Sequence, residues 1–224
     1  IRASTSAVGE TGAHVIINND NSKEHAVKIR GGIDTPGYQL NWRAIEIYTQ
    51  NGTKKENGNS VEIKGLVDID VKNCASLFAR GNYATIDIGG GRIVSHNYSS
   101  IWTAGNEALI NLNMQKDAEG NAIDAGDNYL QIEGDVSTAT QFYGSNGTIN
   151  VGLNTADSYL KGHFFGVGNN NLYLRNGAVW DNMPAVTHNW AGGDYSTNNI
   201  VSNISNLYGG ADSAHAGNIY QQES

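Results

Sequence analysis

Asp68 and Asp70 stand two residues apart, so in an extended chain their carboxylates share one face. Paired carboxylates are the groups that act as acid and base when a glycosidic bond is cleaved. Arg92 and His96 follow one repeat later, near the same slot. Asp68, Asp70, Arg92 and His96 together make the best catalytic set in the chain. The competing reading is an outward charged face that aids solubility and blocks lateral strand pairing. The expectation drawn is a protein that is not an enzyme, with polysaccharide cleavage as the alternative.

Aromatic residues offer a second chemistry. Leu77-Phe78, Ile101-Trp102, Phe142-Tyr143 and Phe164-Phe165 are each followed by a small residue: Ala79, Thr103, Gly144 and Gly166. This alignment puts Phe78, Trp102, Tyr143 and Phe165 in one column. If their predecessors point inward, alternation sends the column outward, where it would stack on sugar rings or anchor a partner protein. The opposite parity makes it an internal ladder, and both orientations stay open here. The long polar stretch 181–199 adds Trp190 and Tyr195 to the candidate binding residues.

Other groups are weaker. Asp117, Glu119, Asn121, Asp124 and Asp127 offer oxygen ligands of the kind Ca²⁺ takes, but without EF-hand spacing, so the expectation is a solvated loop and no metal. The six histidines show no ligand spacing. Gly89-Gly90-Gly91 is not followed by a helical pattern, so a phosphate loop is not expected. Cys74 is the one cysteine, with no basic neighbour to activate it, and reads as a packed small residue.

The elements that would position these groups repeat. Residues 76–88 (SLFARGNYATIDI) and 100–112 (SIWTAGNEALINL) match by type at a period of 24. Such a period marks a stacked architecture. Short alternating strands recur as Val61-Glu62-Ile63, Ile86-Asp87-Ile88, Ile110-Asn111-Leu112, Leu130-Gln131-Ile132, Ile149-Asn150-Val151 and Leu172-Tyr173-Leu174. Alternation puts the aliphatic residues on one face and Glu, Asp, Asn, Gln, Asn and Tyr on the other. Val67–Val71 and Arg92-Ile93-Val94 form a further strand type. Three strands in ~20–25 residues, joined by Gly and Asn corners, predict one coil of a right-handed parallel β-helix. The fold expected is all-β, roughly eight such coils about 4.8 Å apart with protruding loops. It is one unit over 1–224, with less regular coils in 1–59, regular coils in 60–180, and a long loop and further coils in 181–224. Loops are expected at 50–60, 115–128 and 181–199.

Composition agrees. The chain holds 28 Gly and 29 Asn but two Pro, and 16% charged residues, so turn formers cover its surface. A net charge of −8 makes nucleic acid and anionic lipid poor partners. No apolar run reaches the ~18 residues that a membrane span needs. Ile1-Arg2-Ala3-Ser4 has no apolar signal region. Both ends read as uncapped, so the expectation is a mature or excised piece, cut from a longer array or with one terminal segment folded over the end.

Asn171–Trp180 (NLYLRNGAVW), preceded by Ser158-Tyr159-Leu160-Lys161-Gly162, resembles the coils of bacterial autotransporter passengers, the type V secreted surface proteins. Tyr208-Gly209-Gly210 through Gly217-Asn218-Ile219-Tyr220 is similar to the coils that follow in such proteins. The resemblance covers roughly residues 60–224. It implies a right-handed parallel β-helix, export across the outer membrane to the cell surface, and adhesion or self-association. Partners would be a host or bacterial surface protein, a matrix component or a glycan, with no cofactor. The family has no shared binding motif to carry over. The Gly-Asp-Ser-Gly surroundings of its serine-protease members are absent. So are the Asn-Thr-Asp, Gly-His-Gly and Arg-Ile-Lys motifs of β-helical polygalacturonases, of which Arg92-Ile93-Val94 is a faint echo.

Overall fold

In a computed structural model of the chain, residues 1–5, 11–32, 43–138, 147–184, 189–190, 193–194 and 202–221 are described. They form strands, turns and one 3-10 turn, Lys55–Asn57, with no α-helix among them. Most strands belong to one large sheet of parallel pairs that curls into a half-barrel.

The pairs fall into three ladders. The first stacks His14–Ile17, residues 60–63, 85–88 and 109–112, then Thr148–Leu153, Asn169–Leu174 and Asn206–Tyr208. The second stacks Val27–Gly32, residues 67–72, 91–96 and 130–133, Tyr159–Lys161, Val179–Asn182 and Asn218–Gln221. The third stacks Arg2–Thr5, Arg43–Thr49, Ala75–Gly81, residues 101–104 and 136–138, and Phe164–Gly166. From Ser60 to Asn182 the described strands fall on first, second and third ladder in turn, and each return to a ladder lands one level up. Parallel neighbours of this kind need a long connection between them, and the other two ladders supply it.

Corners explain the abundance of Asn. Among the described residues six non-glycine residues have positive φ, and four of them are Asn: Asn73, Asn97, Asn113 and Asn176. Asn tolerates the left-handed region because its short amide bonds locally. Asn97 sits one level above Asn73 and its Nδ2 donates to Asn73 Oδ1 at 3.3 Å.

The core runs along the inside of the curl. Val61, Ile86, Ile110 and Ile149 follow one another in the first ladder; Ile69, Ile93, Ile132, Leu160 and Trp180 do so in the second; Ile45, Leu77, Ile101, Val136 and Phe164 in the third. A fully buried aliphatic side chain stabilises by ~1.5–3 kcal/mol, while ordering a residue costs ~1–2 kcal/mol of backbone entropy. One level by itself would lose that comparison, so the ladders stand as a stack.

The even spacing expected of the strands does not hold throughout. Ser60 pairs with Thr85 and Thr85 with Leu109, steps of 25 and 24. Leu109 then pairs with Thr148, 39 residues on, and Thr148 with Asn169, 21 on. Leu130-Gln131-Ile132 lies in the second ladder, beside Gly91-Arg92-Ile93. The residues inserted here include an antiparallel hairpin, Met114–Lys116 with Ala122–Ala125, inside the stretch expected to be loop. Within 181–199, Asn189–Trp190 pairs with Gly193–Asp194 in a second small antiparallel ribbon.

Candidate binding surface

The second ladder does bring the charged set together. Asp68 pairs in register with Arg92, and Asp70 with Val94. Arg92 Nη1 donates to Asp70 Oδ2 at 2.9 Å and to Asp68 Oδ1 at 3.4 Å, and His96 Nε2 lies 2.9 Å from Asp70 Oδ1. Arg30, one level below, bonds the other Asp68 oxygen. The order Arg30, Asp68, Arg92, Asp70 alternates in sign, and the His96 ring follows as a hydrogen-bond partner of Asp70. Burial raises the Asp70 carboxyl, but the hydrogen bonds and charges of Arg92 and His96 outweigh it and hold the group below the usual carboxylate range. A general acid near neutrality needs the opposite shift.

The third ladder answers the question of the aromatic column. Phe78 and Trp102 are adjacent in register, and their rings stack at 4.2 Å with an interplanar angle of 23°. Their neighbours Leu77, Ala79 and Ile101 belong to the main core, so alternation places both rings on the outer side. Yet Phe78 is only 2% exposed and Trp102 6%. The Arg43 guanidinium covers them, 4.8 Å from the Phe78 centroid and 5.9 Å from that of Trp102, and Tyr98 packs alongside. The column also has a different member: the position between Trp102 and Phe165 is Ser137. Tyr143, expected there, lies outside the described residues, as does Tyr195. Phe165 is half-buried, and Trp190 belongs to the small ribbon. The rings that meet are thus packed as a satellite core and present little surface to a partner.

The outer side of the first ladder is built otherwise. Asp87, Asn111, Asn150, Asn171 and Asn206 occupy successive levels. Each side-chain amide donates to the oxygen one level below: Asn206 to Asn171 at 2.9 Å, Asn171 to Asn150 at 2.8 Å, Asn150 to Asn111 at 2.7 Å, and Asn111 to Asp87 at 2.7 Å. An ionised carboxylate only accepts, so Asp87 sets the direction of the whole chain of amides. Side-chain ladders of this kind add to backbone pairing in stacked sheets. Asn111 and Asn150 are buried, whereas Asn206 is exposed.

The hairpin lies across this face. Its root is Asn113, whose buried amide donates to the carbonyls of Asn128 and Gly152 at 2.8 Å each and of Gly126 at 3.1 Å. Gly152 has no side chain, and Ala125 sits where a Cβ would come within 3.2 Å of it. Lys116 reaches Asp87 at 3.0 Å and Glu62 at 3.7 Å. Asp124 bonds Arg175 at 2.5 Å, and the Lys55 ammonium donates to the Glu119 carbonyl at 3.3 Å. Asp117 stays inside the hairpin turn, where its carboxylate accepts from Asn121 and Glu119. Among the described residues no three His, Cys, Asp or Glu side chains gather to hold a metal ion.

On either side of the hairpin parts of the face reach solvent. Beyond it, Tyr173, buried, and Tyr208, exposed, stack at 4.3 Å with an angle of 18°, next to Arg175. Before it lies a cleft of ≈ 230 Å³ lined by Glu62, Lys64, Asp87, Asn111, Met114 and Lys116. Cys74 is buried, and that burial pushes its thiol up to about 11, so it takes no part.

Alternation alone marks Glu62, Asp87, Asn111 and Asn150 as outward, but their sequel does not follow from it. Asn171 and Asn206 continue the column, whereas regular spacing points to Tyr173. Comparison of the chain with family models, with curated proteins and with solved structures returns no match.

Proposed function

We propose that the chain is a segment of a bacterial cell-surface adhesin, a right-handed parallel β-helix passenger of the autotransporter type. It is carried across the outer membrane and attaches the cell to a host surface, a matrix component, a glycan or a sister copy of itself. The observation that carries this reading is the outer face of the first ladder. A stacked column of amides underlies it, and its solvent-facing parts, Asn206, Tyr208 and the cleft lined by Glu62, Lys64, Asp87 and Lys116, offer weak polar contacts along one direction. Weak contacts repeated along a stack multiply into avidity.

The test is attachment. Beads coated with the fragment should be retained on epithelial cells, matrix proteins or a glycan array, and bacteria displaying it should clump in a mixture of tagged and untagged strains. No retention and no clumping would reject the reading. The alternative, polysaccharide cleavage, draws on the proximity of Asp68, Asp70, Arg92 and His96. Release of reducing ends or unsaturated products from pectate by the fragment, lost in Asp70→Asn, would replace adhesion with it.

A further inference from the structure

Three features of the cleft beside the hairpin narrow what it can take. Its lining includes Gly89, where any side chain would collide with the Lys64 carbonyl one level below, so the position admits only glycine. Asn128 Nδ2 donates to the Gly89 carbonyl at 2.8 Å and fixes that position. Its walls carry two carboxylates, Glu62 and Asp87, and two ammonium groups, Lys64 and Lys116, so their formal charges cancel. Met114 adds an apolar patch.

Neither a bare anion nor a bare cation suits such walls, since each would meet a like charge as close as its counterion. A hydroxyl group does suit them, because it donates to a carboxylate and accepts from an ammonium. A ring bearing several hydroxyls can satisfy both kinds at once while its C–H face rests on Met114. The ≈ 230 Å³ volume limits the occupant to about one such ring. Glu62 and Lys116 are 3.7 Å apart, the longer of the two Lys116 contacts, with side chains 35% and 26% exposed. Both therefore keep hydrogen-bonding capacity for a guest.

We propose that this cleft is a monosaccharide subsite: one neutral sugar ring of a surface glycan, held between Glu62, Asp87, Lys64 and Lys116 against Met114, with the hairpin as one wall. This rests on the adhesin reading and names its ligand as carbohydrate. The open side of the cleft leaves room for the rest of the glycan.

Saturation-transfer NMR on the whole fragment with methyl glycosides of glucose, galactose, mannose and N-acetylglucosamine tests it. At least one should give a saturable response in the millimolar range. Glu62→Gln, which keeps the shape, should weaken it by about tenfold, the usual scale for losing a charged hydrogen bond. Met114→Trp, which fills the cleft from a half-exposed position, should abolish it. An unchanged circular dichroism spectrum and melting temperature would show that both variants fold. No saturable response from any glycoside, or a response that both variants leave unchanged, overturns the subsite. The bead-retention assay keeps the two readings apart. Retention on cells or matrix without sugar binding removes the subsite and keeps the adhesin. Sugar binding without retention does the reverse.

Discussion

The outer faces of the first and second ladders use the same backbone spacing and solve it with different chemistry. In the first, neutral amides repeat, and each both donates and accepts, so identical residues can stack without limit. In the second, charges repeat, and identical residues would repel. There the order must alternate, as in Arg30, Asp68, Arg92 and Asp70. The amides are partly buried beneath the hairpin, where an unmade hydrogen bond is costly. The charges of the second are only partly exposed, but solvent still reaches and screens each pair, so each contributes modestly. One face is held by satisfaction of buried groups, the other by screened attraction.

The sharpest break would be a third face used as reference. Trp102→Ala removes a ring packed against Phe78 under Arg43 and should cost about 3 kcal/mol, measured by urea unfolding. Next, Asn111→Ala interrupts the amide chain at a buried level and leaves the Asn150 amide without its acceptor. It should cost about 1–3 kcal/mol, while Asn206→Ala at the exposed end should stay within about 0.5 kcal/mol. Equal costs at the two positions would mean that burial is not what gives the ladder its strength.

Arg92→Ala leaves Asp68 and Asp70 facing each other across the gap and should cost about 1 kcal/mol at low salt, with the difference shrinking as salt rises. The cost of Asn111→Ala should not depend on salt. A pH series separates the faces further. The Asp70 carboxyl is held below its unfolded value, so its contribution is full above roughly pH 4 and is lost as pH falls through the folded value. Asp70→Asn should flatten the acid limb of the melting curve; an unchanged limb would place that stability elsewhere. The smallest effect concerns Tyr159, higher on the second ladder. Burial, then its 2.8 Å hydrogen bond to Glu133, pushes its phenol up to about 12. In an ultraviolet titration the last phenol to ionise should vanish in Tyr159→Phe.

Much of this was legible in the residues. The two 13-residue copies at 76–88 and 100–112 stack one on the other, because equal length between equal strands brings equal positions into register. Asp68 and Arg92 could be matched for the same reason: no insertion separates their levels. Past Leu112 that reasoning fails. The hairpin and the residues after Thr138 lengthen the next circuit to 39, so Leu130 reads as a first-ladder strand although it pairs in the second. The Phe142-Tyr143 motif matches the aromatic slot, yet Ser137 fills it.

Strand periodicity, the turn-forming Asn and Gly residues and the inward aliphatic pattern are local properties, and the sequence by itself determined them. Register across an insertion, the hairpin's seat over Gly152, the guanidinium lid on Phe78 and Trp102, and the extension of the amide column through Asn171 and Asn206 were decided only by the tertiary structure. Each depends on hydrogen bonds and packing between residues tens of positions apart, and the same short motif satisfies them equally well on more than one ladder.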